Sequence, residues 1–277
     1  MNAIFIVAQK EFRDGLRNRW VLAISLAFAF LAMGLAYFGA SASGMVGFTS
    51  LATTIISLAS LAIFLIPLIA LLLAYDSIVG EDEQGTLLLL LTYPLHRSQL
   101  LLGKFLGHAG IMAASTLLGF GIAAILIAIL TNELFDLDLW RAFGLFILSA
   151  TLLGWVFIAM AYVTSVMVVE KTRAAGVSLL LWFWFVLIFD LIMLGQLVLT
   201  KGASGGNWIP YLLLLNPTDV FRLLNLAGFE AARQYTGLAS LGDTGPLFDP
   251  FILTTILVLW VIMPLLAALW IFNKRRI

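Results

Sequence analysis

Residues 20–75 read WVLAISLAFAFLAMGLAYFGASASGMVGFTSLATTIISLASLAIFLIPLIALLLAY and contain no charged side chain. A membrane-spanning helix needs roughly 20 apolar residues to cross about 30 Å of hydrocarbon, so this stretch is too long for one crossing. Turn-forming small residues divide it in the middle; they are Gly39, Ser41, Ser43, Gly44 and Gly47. The stretch therefore predicts two spans, over residues 20–39 and 49–75.

Four further apolar windows of similar length follow along the chain. They cover residues 105–131, 142–169, 174–199 and 251–272. Each window is a continuous apolar run, whereas the strands of a membrane barrel alternate apolar and polar residues over about ten positions. The sequence thus predicts an all-α polytopic membrane protein with six transmembrane helices, forming one transmembrane domain over residues 1–277.

The composition agrees with that fold class and excludes several chemistries. Of 277 residues, 62% are hydrophobic and 11% are charged, and the mean hydropathy is +1.09. Fifteen basic residues balance 15 acidic ones, so no excess charge indicates a nucleic-acid partner. The chain has no cysteine, which excludes disulfides, thiolate metal sites and cysteine nucleophiles. We predict no metal site and no cofactor in this subunit.

The basic residues predict the orientation, because Lys and Arg near span ends tend to remain in the cytoplasm. One side receives Lys10, Arg13, Arg17, Arg19, Arg97, Lys104, Lys171, Arg173, Lys274, Arg275 and Arg276. The other side receives Arg141, Lys201, Arg222 and Arg233. We therefore expect both termini in the cytoplasm. The first apolar run is too long for a cleavable signal peptide.

Residues 1–19 precede the first span and form a polar, basic segment. Phe5, Ala8, Phe12 and Leu16 recur at helical spacing. This pattern predicts an amphipathic helix at the cytoplasmic membrane interface. The helix serves either as a topology anchor alone or also as a contact for a cytoplasmic partner.

The loop between spans two and three, residues 76–104, reads DSIVGEDEQGTLLLLLTYPLHRSQLLLGK. Gly85 is expected to form a turn, and Thr86 is expected to cap a short helix over Leu87–Leu91 that Pro94 terminates. A helix this short cannot cross the membrane, yet five leucines are too apolar to remain in water. We predict that it lies against the membrane surface or another protein.

Charged residues flank this leucine helix. The acidic run Glu81–Glu83 precedes it, and Arg97 follows it. Ser98 is expected to cap the next helix, which continues into span three. The whole cytoplasmic loop therefore offers both apolar and charged groups to a partner.

Residues 200–250 form the longest segment on the outer side. The sequence Asn216-Pro217-Thr218-Asp219 is typical of a helix start, and it predicts one or two short helices at the outer leaflet. The candidate contacts for a periplasmic partner are Trp208, Tyr211, Asp219, Arg222 and Arg233. A solvated loop without a function is an equally open interpretation of the glycine-rich remainder.

Sequence motifs for catalysis are absent. The chain has no G-x-x-x-x-G-K-[ST] phosphate loop and no H-E-x-x-H zinc helix. An intramembrane enzyme would need paired catalytic side chains at matching depth, and no such pair is evident. We expect a protein that is not an enzyme.

Asp190 is the only charged residue inside a predicted span. A charge in the membrane costs about 2.5–3.5 kcal/mol on insertion scales, so it is a functional candidate by default. Asp190 is either a pathway residue or a structural residue bonded to a neighbouring helix. Met160, Met167 and Met193 are further pathway candidates, because thioethers bind copper(I), although methionines in membrane helices commonly serve as packing.

Several short motifs in this order resemble the permease subunits of bacterial ABC exporters. They are Lys10-Glu11-Phe12-Arg13, Glu81-x-x-x-Gly-Thr-Leu87, Tyr93-Pro94, Arg97, Gly103-Lys104 and Asn216-Pro217. The resemblance covers nearly the whole chain. It implies a homodimer, with ATP and Mg bound by separate cytoplasmic ATPase subunits. In that family the loop between spans two and three carries a coupling helix that contacts the ATPase.

The resemblance assigns the ATPase-coupling role to one set of residues in the loop. That set is Glu81, Asp82, Glu83, Gly85, Thr86, Leu87, Leu89, Leu91 and Arg97. The stretches beginning at Gly80 and at Asp219 are most similar to the branch that serves maturation of the copper centres of nitrous oxide reductase. This implies a periplasmic partner and a sulfur or copper species as cargo. A membrane anchor or mechanical transmitter without transport is the alternative.

Overall fold

The computed structural model describes residues 3–38, 50–93, 95–199, 209–227 and 249–275. These residues form helices and short connections without a strand. The helices are α1 (Ala3–Arg17), α2 (Trp20–Phe38), α3 (Leu51–Ala74), α4 (Val79–Glu83), α5 (Thr86–Thr92), α6 (Arg97–Leu130), α7 (Leu137–Met167), α8 (Lys171–Phe183), α9 (Phe189–Leu199), α10 (Ile209–Leu213), α11 (Pro217–Ala227) and α12 (Pro250–Lys274). A π-helical turn, Trp184–Ile188, joins α8 to α9.

Within the described residues, six helical segments are long and apolar enough to cross a membrane, which confirms the predicted fold class. Four spans are single helices, namely α2, α6, α7 and α12. The second span, Thr53–Glu83, runs from α3 into α4, and the fifth is the continuous unit of α8, the π-turn and α9. The predicted boundaries agree with these helices within a few residues, except that α6 begins well before residue 105. Its 34 residues extend about 50 Å, so its first turns project beyond the hydrocarbon.

The spans differ sharply in how much of their surface the chain itself covers. In the apolar window of α7, 72% of the residues are buried, because α3, α6 and α12 all pack around it. In the span formed by α8, the π-turn and α9, only 11% are buried. This span therefore lies at the periphery of the single chain.

The N-terminal helix α1 lies along the projecting start of α6. Glycines permit this close approach, since an added Cβ at Gly103 would stand 2.6 Å from Cβ of Val7, and one at Gly107 would stand 2.4 Å from Cβ of Glu11. The outer face of α1 keeps Phe5 exposed. The predicted amphipathic helix is thus present, and its inner face is a packing surface for α6.

Two predicted helix caps in the loop between spans two and three are wrong. Gly85, with a left-handed φ of 69°, precedes α5, and the Thr86 hydroxyl donates instead to the Glu81 carbonyl over 3.1 Å. His96 occupies the N-cap position of α6, where its backbone N–H donates to Oε1 of Gln99 over 3.0 Å. Ser98 lies inside the helix. Pro94, the expected terminator of the leucine helix, falls outside the described residues.

Candidate coupling site and intramembrane ion cluster

The acidic residues of the loop between spans two and three pair with cations from distant parts of the chain. The Lys104 ammonium lies 2.7 Å from a Glu81 oxygen and 2.9 Å from a Glu11 oxygen. Lys104 is 4% exposed. One buried cation therefore joins α1, α4 and α6.

Glu11, which lies in α1 outside the spans, has a lowered pKa as a result. Burial alone would raise the pKa of Glu11, but the Lys104 ammonium beside it outweighs burial, with smaller help from His108 and Lys10. The ionised carboxylate is thus the stable form in the fold.

The other two acids of the run are also tied within the chain. Asp82 forms an ion pair of 2.6 Å with the Arg275 guanidinium at the end of α12. Glu83 accepts a 3.0 Å hydrogen bond from the backbone N–H of Lys171, where α8 begins. The structure therefore places the predicted coupling acids mainly in contacts that hold the loop to the spans.

Arg97 has a similar internal role. Its guanidinium donates to the carbonyl oxygens of Phe272 and Arg275, and it thereby joins the start of α6 to the end of α12. Carbonyls in the last turn of a helix have no intrahelical donor, so Arg97 satisfies groups that would otherwise be unpaired.

Helix α5 presents a different pair of leucines to the outside than the sequence motif indicated. Leu87 is fully buried and Leu91 is half-buried against the bundle. Leu88 and Leu89 are 57% and 65% exposed, and Tyr93 just beyond the helix is exposed as well. The predicted coupling residues do not include Leu88 or Tyr93. The 3.6-residue period of a helix nevertheless places Leu88 and Leu89 on a different face from Leu87 and Leu91.

The predicted intramembrane acid belongs to an ion cluster at the opposite end of the bundle. Asp190 at the start of α9 forms an ion pair with Arg222 of α11, whose Nη2 lies 2.8 Å from Oδ2 of Asp190. Nη1 of Arg222 lies 2.8 Å from Oδ1 of Asp219. The side chain of Asn216 donates to Asp219 over 3.0 Å. One guanidinium therefore serves two carboxylates.

Asp219, which lies in the short outer helix α11, is 2% exposed. Burial raises the pKa of Asp219 to about 7, with Arg222 acting in the opposite direction and Asp190 adding to the increase. The partner contact predicted for Asp219 and Arg222 stays a prediction, and Asp219 offers little accessible surface for it.

A cavity of about 420 Å³ opens beside this ion cluster. Its walls are Asp190, Met193, Leu194, Gln196, Leu213, Asp219 and Arg222. Of the three methionines considered as pathway residues, Met193 borders the cavity, Met160 is buried in α7, and Met167 is exposed at the end of α7. The structure does not bring these methionines together.

The π-turn is held by the same outer segment. A π-turn displaces the helical hydrogen-bond ladder and is frequent at functional sites. The carbonyl of Phe185 accepts hydrogen bonds from Nδ2 of Asn216 over 2.9 Å and from Oγ1 of Thr218 over 3.2 Å. The predicted helix start at Asn216 thus also positions the span that carries Asp190.

The remaining outer candidates are only partly described. Tyr211 in α10 is exposed. Trp208 and Arg233 lie outside the described residues.

Comparison with known proteins decides the class of this molecule. The family model described as ABC-2 family transporter protein matches residues 5–277. The chain belongs to the ABC-2 transporter family. A protein of Stutzerimonas stutzeri named "Probable ABC transporter permease protein NosY" is 57% identical over 275 residues, which cover 99% of each chain. A protein of the same name from Pseudomonas aeruginosa is 55% identical over 277 residues and the full length of both chains.

These matches confirm the resemblance seen in the motifs. The chain is a membrane-embedded, NosY-like permease subunit of an ABC transporter. In an ABC-2 permease, the exposed face of α5 and the ion-paired contacts behind it form the candidate coupling site, and the cluster around Asp190 is the candidate pathway site.

Proposed function

We propose that this permease works in the bacterial inner membrane as a homodimer, with both termini in the cytoplasm. Two cytoplasmic ATPase subunits of the NosF type bind ATP and Mg and dock on the cytoplasmic loops. A periplasmic partner of the NosD type docks on the outer segment. The transported cargo is a sulfur or copper species used in maturing the copper centres of nitrous oxide reductase.

The exposed apolar face of α5 carries this proposal. Leu88, Leu89 and Tyr93 form an outward face on the side that is rich in Lys and Arg. Exposed apolar groups on a short helix favour contact with another protein. Behind that face, the ion pairs at Glu81 and Asp82 connect the loop to α6 and α12, so a push on α5 is transmitted to two spans as a rigid-body movement.

Charge insertion into α5 tests the docking surface. Leu89→Arg places a cation on the outward face without disturbing the buried Leu87. Glu83→Arg removes the acceptor for the Lys171 N–H at the base of the loop. We expect the first variant to lose copurification with the ATPase subunit, and the second to bind the ATPase while ATP hydrolysis and transport become uncoupled.

Thr172→Arg is the matched control for both variants. Thr172 is exposed near the start of α8 on the same side of the membrane, so the control introduces an arginine outside α4 and α5. Assembly and coupling that equal the wild type in both Leu89→Arg and Glu83→Arg would refute the role assigned to the loop.

The peripheral span formed by α8 and α9 is the surface that we assign to the second copy. Its ion pair between Asp190 and Arg222 leaves each side chain about one third exposed, at 35% and 38%. Charged groups inside membranes normally face protein or a water-filled cavity. Because the chain lacks cysteine, Leu194→Cys should form a disulfide-linked dimer on oxidation, whereas Leu266→Cys on the exposed face of α12 should not.

A mechanical transmitter without transport is the second candidate function. The ion pairs that connect the cytoplasmic loop to the spans favour it equally, because they would carry movement toward an outer partner without a pathway. ATP-dependent transport of a copper or sulfur species by reconstituted complex separates the two. Asp190→Asn should lower that transport if the cavity is the pathway, and transport at the wild-type rate would exclude Asp190 as a pathway residue.

A further inference from the structure

A second cavity lies at the charged end of the bundle, between the end of α5, the start of α6 and the end of α12. Its volume is about 560 Å³, within the usual range for sites that bind small molecules. It is lined by Leu91, Leu95, His96, Arg97, Ser98 and Asn273. The lining thus combines an apolar wall of two leucines with a polar wall of hydrogen-bond donors.

The polar wall is suited to an anion. Nη1 of Arg97 donates to two main-chain carbonyls, and in the described part of the chain the structure shows no hydrogen-bond partner for its Nε and Nη2. The Ser98 hydroxyl and the Asn273 amide add donors, and the lining residues include no carboxylate. Guanidinium and amide N–H groups are good donors to phosphate oxygens.

The position of the cavity points to a lipid as the source of that phosphate. Trp270, one turn before Asn273 on α12, is 61% exposed, and the Lys274 ammonium lies 4.0 Å from the centre of its ring. Trp and Lys are the side chains that anchor spans at the membrane–water interface. The cavity therefore opens at the level of the lipid headgroups.

The cavity also lies away from the face assigned to the ATPase. Leu91, which lines it, is on the inward side of α5 together with the buried Leu87. The outward face of α5 consists of Leu88 and Leu89. A lipid could therefore occupy the cavity while an ATPase subunit contacts α5.

We propose that this cavity binds the phosphate of an anionic phospholipid from the cytoplasmic leaflet. Arg97, Ser98 and Asn273 hold the phosphate, while Leu91 and Leu95 contact the glycerol and the first methylene groups. Basic pockets between spans on the cytoplasmic side commonly bind such headgroups. The inference rests on the orientation given under the proposed function, and the lipid would stabilise the junction of α6 with α12.

Native mass spectrometry of the purified full-length chain, without ATPase subunits, tests the site. Phosphatidylglycerol and phosphatidylcholine are added in separate arms, and a third arm adds inorganic phosphate as competitor. His96→Glu and Asn273→Asp each place a negative charge in the lining. Thr172→Glu, the control, places the same charge on the same side outside the cavity.

We expect each lining variant to retain phosphatidylglycerol about fivefold less well than the wild type and the control do. Equal retention in all variants, or equal binding of phosphatidylcholine, would overturn the proposal. Displacement of the lipid by millimolar phosphate would assign the site to free phosphate and would overturn the lipid as its occupant.

The partner ATPase provides the last comparison. If His96→Glu lost the ATPase subunit but retained phosphatidylglycerol as the wild type does, the cavity would be a protein-docking surface and the lipid proposal would fail. A failure of the coupling proposal is distinguishable, because Leu89→Arg would then leave both assembly and lipid retention unchanged.

Discussion

The ion clusters at the two ends of the bundle use charge in opposite ways. At the end of the bundle that carries α4 and α5, Lys104 is nearly buried between Glu11 and Glu81, and Arg275 pairs with the neighbouring Asp82. At the opposite end, Arg222 is the one cation among the described residues that pairs with Asp190 and Asp219. The first arrangement stabilises ionised carboxylates, whereas the second leaves one carboxylate short of positive charge.

The pKa values of Glu11 and Asp219, which both lie outside the spans, reflect this difference. Lys104 outweighs burial and lowers the pKa of Glu11, while burial dominates at Asp219 and raises its pKa to about 7. The cluster around Lys104 therefore serves as a rigid connection, whereas the cluster around Arg222 can change its protonation near neutral pH.

Removal of Lys104 should have the largest effect on stability. Lys104→Ala leaves Glu11 and Glu81 buried without their shared cation, and breaking a buried ion pair in this way costs about 3–5 kcal/mol. Thermal unfolding in detergent should show a large decrease in the midpoint. Lys10→Ala removes an exposed cation from α1, beside Glu11, and should change the midpoint little. Equal midpoints for the two variants would mean that Lys104 does not hold the segments together.

The two clusters should respond to pH with opposite signs. Because the folded pKa of Asp219 exceeds its ordinary value of 3.8, the fold binds more protons than the unfolded chain between about pH 4 and pH 7. The contribution of Asp219 to stability therefore decreases as pH rises through that window. Glu11 has a lowered pKa, so its contribution is present above its ordinary value of 4.5 and is lost as pH falls further.

Unfolding midpoints measured from pH 4 to pH 8 check these signs with one variant for each cluster. Asp219→Asn should remove part of the decrease between pH 4 and pH 7, and Glu11→Gln should leave that decrease in place. A profile for Asp219→Asn that parallels the wild type over the whole range would contradict the account of the outer cluster.

Asp190→Asn should have the smallest effect on stability. Asp190 and Arg222 are both about one third exposed, and Arg222 keeps Asp219 as a partner in the variant. We expect a loss of about 1 kcal/mol or less in the free energy of unfolding. A loss as large as that of Lys104→Ala, measured in the same detergent, would show that the two clusters are equally rigid.

The sequence predicted the spans better than the contacts between them. Long apolar windows determine where helices cross the membrane, so the six spans and the short leucine helix were predictable from local composition. The partner of a charge depends on tertiary packing, and Lys104 meets Glu11 across 93 positions of the chain. The pairing of Asp190 with Arg222 joins a span to a separate outer helix, which the pattern of charges alone does not specify.

The wrong cap predictions arose where a side chain had more than one local hydrogen-bond partner to choose from. Thr86 is a good helix cap by residue type, but its hydroxyl donates to the Glu81 carbonyl because Gly85 turns the chain back toward α4. The π-turn left no recognisable sequence signal. The approach of α1 to α6 depends on Gly103 and Gly107, and glycines inside an apolar helix indicate close packing without identifying the neighbour.

The proposed contact between the outward face of α5 and a cytoplasmic ATPase subunit can be measured directly, because the chain has no native cysteine. Leu88→Cys, exposed on that face, is treated with a membrane-impermeant maleimide in intact cells and in inside-out vesicles, with and without the ATPase subunit. We expect labelling only in inside-out vesicles, and protection when the ATPase subunit is present. Labelling in intact cells, or labelling that the ATPase subunit does not reduce, would contradict it.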